Sequence, residues 1–151
     1  MFTRNKKPLI LNYKLNEVGI PPTYGTSGSA GLDFYYPYKK PLHLQAGETA
    51  QFNTGVSVEI PEGYVGIVAV RSSIGFKYDT VLTNGLGIID SDYRGEINVR
   101  LINHGNQRFS VEHGERVAQM IILPYEQVQL NRVFELEETE RGEGGIGSTG
   151  K

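Results

Sequence analysis

Two carboxylates, a phenol and a guanidinium crowd into five residues of this chain: Asp90, Asp92, Tyr93 and Arg94. They belong to the stretch NGLGIIDSDYRGE, Asn84 to Glu96, which opens on a turn signal, Asn84-Gly85, and a short apolar run, Leu86 to Ile89. The chain has only four aspartates, so two of them here put acid, ring and cation on one tight turn. Such a turn suits a small ligand, with backbone groups meeting an uncharged edge and Asp90 acting as a base. An ordinary polar hairpin tip, with Asp90 as an Asx-turn acceptor, is the other reading.

Three further patches suit phosphate. Arg71-Ser72-Ser73 follows an apolar segment and offers a guanidinium and two hydroxyls; a strand end with a solvated Arg and a capping Ser fits equally well. Gly114-Glu115-Arg116 is turn chemistry, and Gln119 then lies in the apolar run VAQMIIL, as a satisfied core amide or as a ligand contact. Arg141 to Lys151 reads RGEGGIGSTGK, with five glycines in eleven residues. By composition that is first of all a flexible linker. Arg141, the hydroxyls of Ser148 and Thr149 and glycine-exposed N–H groups also make a phosphate wrap. It is not a Walker A loop, because Lys151 stands outside the Gly-Lys-Ser/Thr order.

The elements that must position these patches read as strands. Leu9 to Leu15, Ala30 to Tyr36, Thr49 to Ile60, Tyr64 to Val70, Glu96 to Asn103, Arg108 to Glu112, Arg116 to Leu123 and Val128 to Leu136 are β-prone. Val56, Val58 and Ile60 should face one way, and Ser57 and Glu59 the other. Thr23 to Ser29 reads as a loop, Pro61-Glu62-Gly63 as a hairpin turn, and Ser72 to Tyr78 as the one helical segment. Short, closely spaced strands argue for an all-β sandwich or jelly roll.

Composition narrows the function classes. At 151 residues the chain is one domain; abundant glycine, 19 residues, without a repeat points to tight turns rather than collagen or a solenoid. A net charge of −2 gives no basic field for nucleic acid. With no cysteine and three scattered histidines, disulfides are excluded and a structural zinc site is not expected. No apolar run reaches the roughly 20 residues of a membrane span, and the N-terminus lacks a signal-peptide pattern. The expected address is the cytoplasm, with no membrane partner.

Ala30-Gly31-Leu32-Asp33, Arg71-Ser72-Ser73, Asn84 through Glu96, Gly114 through Gln119 and Arg141 through Gly150 resemble, in this order, the five motifs of the trimeric dUTP pyrophosphatases, or dUTPases. The resemblance runs from about Ala30 to the C-terminus. It implies a jelly-roll-like distorted β-barrel over residues 1–136 and a flexible Gly-rich arm over 137–151, exchanged between subunits of a homotrimer. Each site would take the hairpin from one chain, Arg-Ser-Ser and Gln119 from a neighbour, and the arm from the third. The implied reaction converts dUTP to dUMP and diphosphate with Mg²⁺, held by triphosphate oxygens and water. It would remove dUTP from the nucleotide pool and supply dUMP for dTMP synthesis.

The resemblance also implies roles. Asp90 would activate the water that attacks the α-phosphorus. Tyr93 would stack on the deoxyribose and leave no space for a 2′-OH. Asn84, the backbone of Gly87, Ile88 and Ile89, and the strand at Asn98 would read the uracil edge. Arg71, Ser72, Ser73 and Gln119 would hold the phosphates, with Asp33 bracing them. Arg141, Gly147, Ser148 and Thr149 would clamp the γ-phosphate. Asp92 and Arg94 receive no catalytic role and are left to stabilise the turn.

The main departure is Ile146, where the family usually carries a Phe lid on the uracil; Phe76 or Tyr78 would have to supply the missing ring. Val70 precedes Arg71 where proline is common, and Ser73-Ile74-Gly75 replaces the more usual Gly-Leu pair. Arg-Ser-Ser is also typical of dCTP deaminases, but their catalytic Glu aligns with Arg100, which cannot serve as that base unless Glu96 substitutes. A nucleotide-sensing regulatory protein is the non-enzymatic alternative.

Overall fold

The computed structural model describes residues 8–146. Strands β1 (Asn12–Leu15), β2 (Thr23–Tyr24), β3 (Leu32–Tyr35) and β4 (Leu42–Leu44) precede two longer ones, β5 (Thr49–Glu59) and β6 (Tyr64–Val70). The helix α1 (Ser72–Tyr78) leads into β7 (Thr80–Leu82), β8 (Gly87–Ile89), β9 (Glu96–Asn103), β10 (Phe109–Val111) and β11 (Arg116–Pro124). One sheet has the order β1-β5-β9-β7, a second β2-β3-β11-β6-β8, and β10 pairs with β4 as a short ribbon. All pairings are antiparallel. This is the jelly-roll-like, all-β architecture expected from the strand pattern. No helix among the described residues is long and apolar enough to cross a membrane.

Alternation explains how the two sheets share a core. Val56, Val58 and Ile60 are buried while Ser57 and Glu59 turn outward, and on β9 Ile97, Val99 and Leu101 are fully buried beneath the outward Asn98 and Arg100. Phe34 and Met120 meet them from the other sheet. Asn103 is the largest polar side chain in this core, with no exposure at all. Its Nδ2 donates to the carbonyls of Leu44 (3.0 Å) and Gln107 (2.8 Å), and its Oδ1 accepts from Gly105 N (2.9 Å). Asn103→Ala strands the buried Leu44 carbonyl and Gly105 N–H, each costing on the order of 1–3 kcal/mol when unpaired, and frees the part-buried Gln107 carbonyl. Urea unfolding should therefore show a loss of about 3 kcal/mol or more.

Four expectations need correction. Pro61-Glu62-Gly63 does turn, with Tyr64 N donating to Pro61 O at 3.1 Å and Gly63 at φ 80°. It joins β5 to β6, which lie in different sheets, so it is a corner and not a hairpin. Asn84 to Glu96 is likewise no hairpin of its own: β8 pairs with β6 and β9 with β5 and β7, so the stretch crosses between sheets. Thr23–Tyr24, read as loop, forms a two-residue edge strand on β3. Val128 to Leu136 forms no strand. Its apolar side chains stand in solvent, Leu130 at 91% and Phe134 at 104% exposure, because the described residues offer them no sheet to join.

Candidate active site

Strand β6 is the spine of the site. One edge carries β8, with Gly66 opposite Ile89 and Val68 opposite Gly87; the other carries β11, with Ala69 opposite Gln119. Arg71 ends the strand in extended conformation (φ −72°, ψ 146°), its N–H on Val117 O at 3.2 Å and its carbonyl accepting from Ile74 N and Gly75 N. Arg71 is thus the N-cap of α1, with no side-chain cap bond. The sequence had left a capping Ser open; Ser72 and Ser73 instead lie exposed, their hydroxyls not used as caps.

Asp33 gathers the charges. Its carboxylate is nearly buried, with Oδ1 3.0 Å from Arg71 Nε and Oδ2 3.1 Å from Arg116 Nη1. The bridge holds two guanidiniums together against their repulsion and leaves a net positive charge facing outward, the arrangement an anion needs. These three residues line a cleft of about 620 Å³ together with Gly31 and Gln119. Gln119 is half-buried and faces this cleft, not the core, with Nε2 3.4 Å from Val70 O. Gly31 makes room for it: a β-carbon there would lie 2.5 Å from Gln119 Oε1.

Arg116 is the residue sequence reasoning missed. Three positions before Gln119, strict alternation puts it on the opposite face. A bulge between Arg116 and Ala118 absorbs the odd residue, buries Val117 and Ala118 together, and turns Arg116 to the Gln119 side. The one signal in the sequence was a charge opening an otherwise apolar strand.

The Asn84 to Glu96 segment is built by its own turns. Gly85 takes φ 72° with its N–H on Leu82 O, and Tyr93 N donates to Asp90 O at 3.2 Å. Arg94 braces this turn as expected: Nη1 donates to the carbonyls of Ser91 (2.7 Å) and Tyr93 (3.0 Å), and Nη2 lies 3.6 Å from Glu59. Asn84, Ile88 and Tyr93 are exposed, with Gly87 and Ile89 half-buried. Asn98 points outward on β9, and its amide donates to Asn53 Oδ1 on the paired strand. Asp90 is exposed, and among the described residues its carboxylate takes no hydrogen bond. It lines a different cleft, about 900 Å³, with Glu59, Arg94 and Tyr125.

The structure therefore brings Asp33, Arg71 and Gln119 together and leaves Asp90 apart. Ile89, the last residue of β8, pairs with Gly66, and the register continued by one residue sets Asp90 level with Val65, six residues down β6 from Arg71. At a rise of about 3.3 Å per residue that is roughly 20 Å. Arg141 and Ile146 are also apart: among the described residues Arg141 Nε bonds within its own segment, to Gly144 O (2.8 Å), and Ile146 is fully exposed. Gly147, Ser148 and Thr149 lie outside the described residues.

An antiparallel jelly roll whose paired arginines sit on a buried carboxylate defines a β protein with a built anion-binding face. Comparison with known proteins sharpens this. The dUTPase family profile matches residues 18–150. The deoxyuridine 5′-triphosphate nucleotidohydrolase of Alcanivorax borkumensis is 46% identical over 143 residues, 94% of this chain and 95% of that one. That of Pectobacterium carotovorum is 44% identical over 131 residues, 86% of each chain. The Staphylococcus bacteriophage 80alpha dUTPase solved with dUPNHPP superposes with a TM-score of 0.84 at 30% identity, covering 94% of this chain and 99% of that one. The chain belongs to the dUTPase family.

Proposed function

We propose that this protein hydrolyses dUTP to dUMP and diphosphate, removing dUTP from the cytoplasmic nucleotide pool and supplying dUMP. The observation that carries the reading is the split site. Asp90 and the Asp33–Arg71–Arg116 cluster are each fully formed, yet stand about 20 Å apart along β6, too far to serve one small ligand. A homotrimer resolves this by placing Asp90 of one chain opposite the arginine cleft of a neighbour. The apolar stretch from Val128 to Leu136, exposed here, would cross to another subunit and carry Arg141 and Ile146 to a shared site. The body then ends near Pro124, the last strand residue, and the arm is longer than residues 137–151.

Within such a site the roles follow from chemistry. Asp90, whose carboxylate takes no hydrogen bond among the described residues, is available to take the proton of the attacking water. Arg71, held at a fixed angle by Asp33, would face the phosphates with the Gln119 amide in the same cleft, and Ser72 and Ser73, exposed at the start of α1, would add their hydroxyls. Guanidinium, hydroxyl and amide suit phosphate oxygens rather than a bare cation, so Mg²⁺ would arrive on the triphosphate and water. When bound there it neutralises phosphate charge. Arg141, Gly147, Ser148 and Thr149 would close over the γ-phosphate.

The deaminase alternative loses its last support. Glu96, the one candidate to replace the missing base, has its carboxylate on Asn16 Nδ2 at 2.8 Å and its second oxygen buried. A glutamate so covered is not free to activate water at a base. Pyrophosphate release from dUTP, and none from dCTP, dTTP or UTP, is the expected assay result; ammonia from dCTP would overturn it.

The lid has a narrower set of candidates than the sequence allowed. Tyr78 packs edge-on against Phe109, 5.3 Å between centroids, so its ring is committed to the body. Phe76 is 92% exposed on α1. If Phe76 covers the base in place of the missing Phe at position 146, Phe76→Ala should raise KM for dUTP by about fivefold or more, since base–aromatic stacking is worth roughly 1–3 kcal/mol. An unchanged KM in both Phe76→Ala and Tyr78→Ala removes the compensation.

A further inference from the structure

The loop after β1 is tied to β5 at Gly55 and to the start of β9 at Glu96. Asn16 organises it. Its N–H donates to Gly55 O at 2.9 Å, and its Oδ1 accepts from Val18 N and Gly19 N, both at 3.0 Å. Its Nδ2 donates to Glu96 Oε1 at 2.8 Å, across 80 residues of sequence. Glycine at position 55 permits this approach: φ is 74°, and a β-carbon would fall 2.6 Å from Asn16 Oδ1. Glu96 Oε2 is buried with no partner, so among the described residues Asn16 supplies the only hydrogen bond to that carboxylate.

Glu96 is in turn the anchor of Tyr93. The phenol donates to the Glu96 carbonyl at 3.0 Å, folding the ring back over Gly95. That fold needs glycine, because a β-carbon at position 95 would lie 2.5 Å from Tyr93 Cζ and run into the hydroxyl. The ring is therefore located by one backbone carbonyl, whose residue opens β9 and is held by its pairing opposite Ser57 and by the Asn16 amide on its side chain. A half-covered carboxylate that loses its sole hydrogen bond moves toward water and pulls on this terminal strand residue, whose carbonyl holds the ring.

We propose that Asn16 is a positioning residue for sugar discrimination: through Glu96 it sets the distance of the Tyr93 ring from the 2′ position of a bound nucleotide. This rests on the reading of Tyr93 as the wall at the sugar. Asn16 lies outside the five motif segments and touches no substrate; it acts through Glu96.

The test is binding of the non-hydrolysable α,β-imido analogues of dUTP and UTP by calorimetry, with melting temperature alongside. Asn16→Asp keeps the acceptor for Val18 and Gly19 but loses the donor to Glu96. The preference for the deoxy analogue should fall by about five- to tenfold, the scale of one hydrogen bond. Asn16→Asp combined with Glu96→Gln puts the donor on the other partner and should restore the preference. If facing carboxylates prevent folding of the single variant, Asn16→Ser, too short to reach Glu96, carries the same expectation. An unchanged preference in the single variant, a double variant as poor as the single one, or a wild-type protein without preference each overturns the assignment. A wild-type protein that prefers the deoxy analogue but does not hydrolyse dUTP brings down the proposed activity alone.

Discussion

Replacing Asp90 by Asn should leave dUTP binding within about threefold of wild type and lower kcat by about 10²- to 10⁴-fold, the range supplied by a positioned general base. The substitution keeps size and polarity and removes only the ability to accept a proton. Asp90 is exposed, the body does not use its side chain, and the turn around it is held by Arg94 and the Tyr93 N–H. Stability should therefore not change, which separates this variant from one that merely unfolds. A rise in KM with kcat retained would place Asp90 in binding and not in proton transfer.

Ending the chain at Glu140 should cost about 10²- to 10³-fold in kcat/KM, the usual effect of removing a donor aimed at developing charge. This deletion takes away Arg141 and the residues that follow and spares every strand of the body. The informative experiment mixes the truncated chain with the Asp90→Asn chain. Neither is active alone, but a site taking Asp90 from the first and the arm from the second is whole. With random assembly, about one quarter of wild-type activity should return. If one chain supplied both parts, no mixed site would be whole and the mixture would stay inactive. The recovered activity thus reports directly on whether Asp90 and the arm of one site come from different chains.

The sequence made some of this architecture plain and hid the rest for physical reasons. The frame was legible because β5, β6 and β9 carry the period-2 burial of strands packed on one side, and Ser72 to Tyr78, with room for a helical turn or two, forms a helix of 7 residues despite Gly75. Sheet membership was not legible. Pro61-Glu62-Gly63 has the same turn chemistry whether its strands pair or part, and here they part. Val128 to Leu136 has strand composition but no partner among the described residues, and a strand exists only in its pairing. For the site, Asp33, Arg71 and Gln119 were named from the motifs and do converge. Arg116 escaped because a bulge changes its face, and no residue type marks that bulge. Asn16 escaped because its partner Glu96 is 80 positions away and the glycine that admits it, Gly55, reads as an ordinary strand residue.

The most direct test of the account is hydrolysis of dUTP in water labelled with heavy oxygen, with mass analysis of both products. An Asp90-activated water attacking the α-phosphorus puts the label in dUMP and leaves diphosphate unlabelled. Label in the diphosphate, or a protein that leaves dUTP intact, would contradict it.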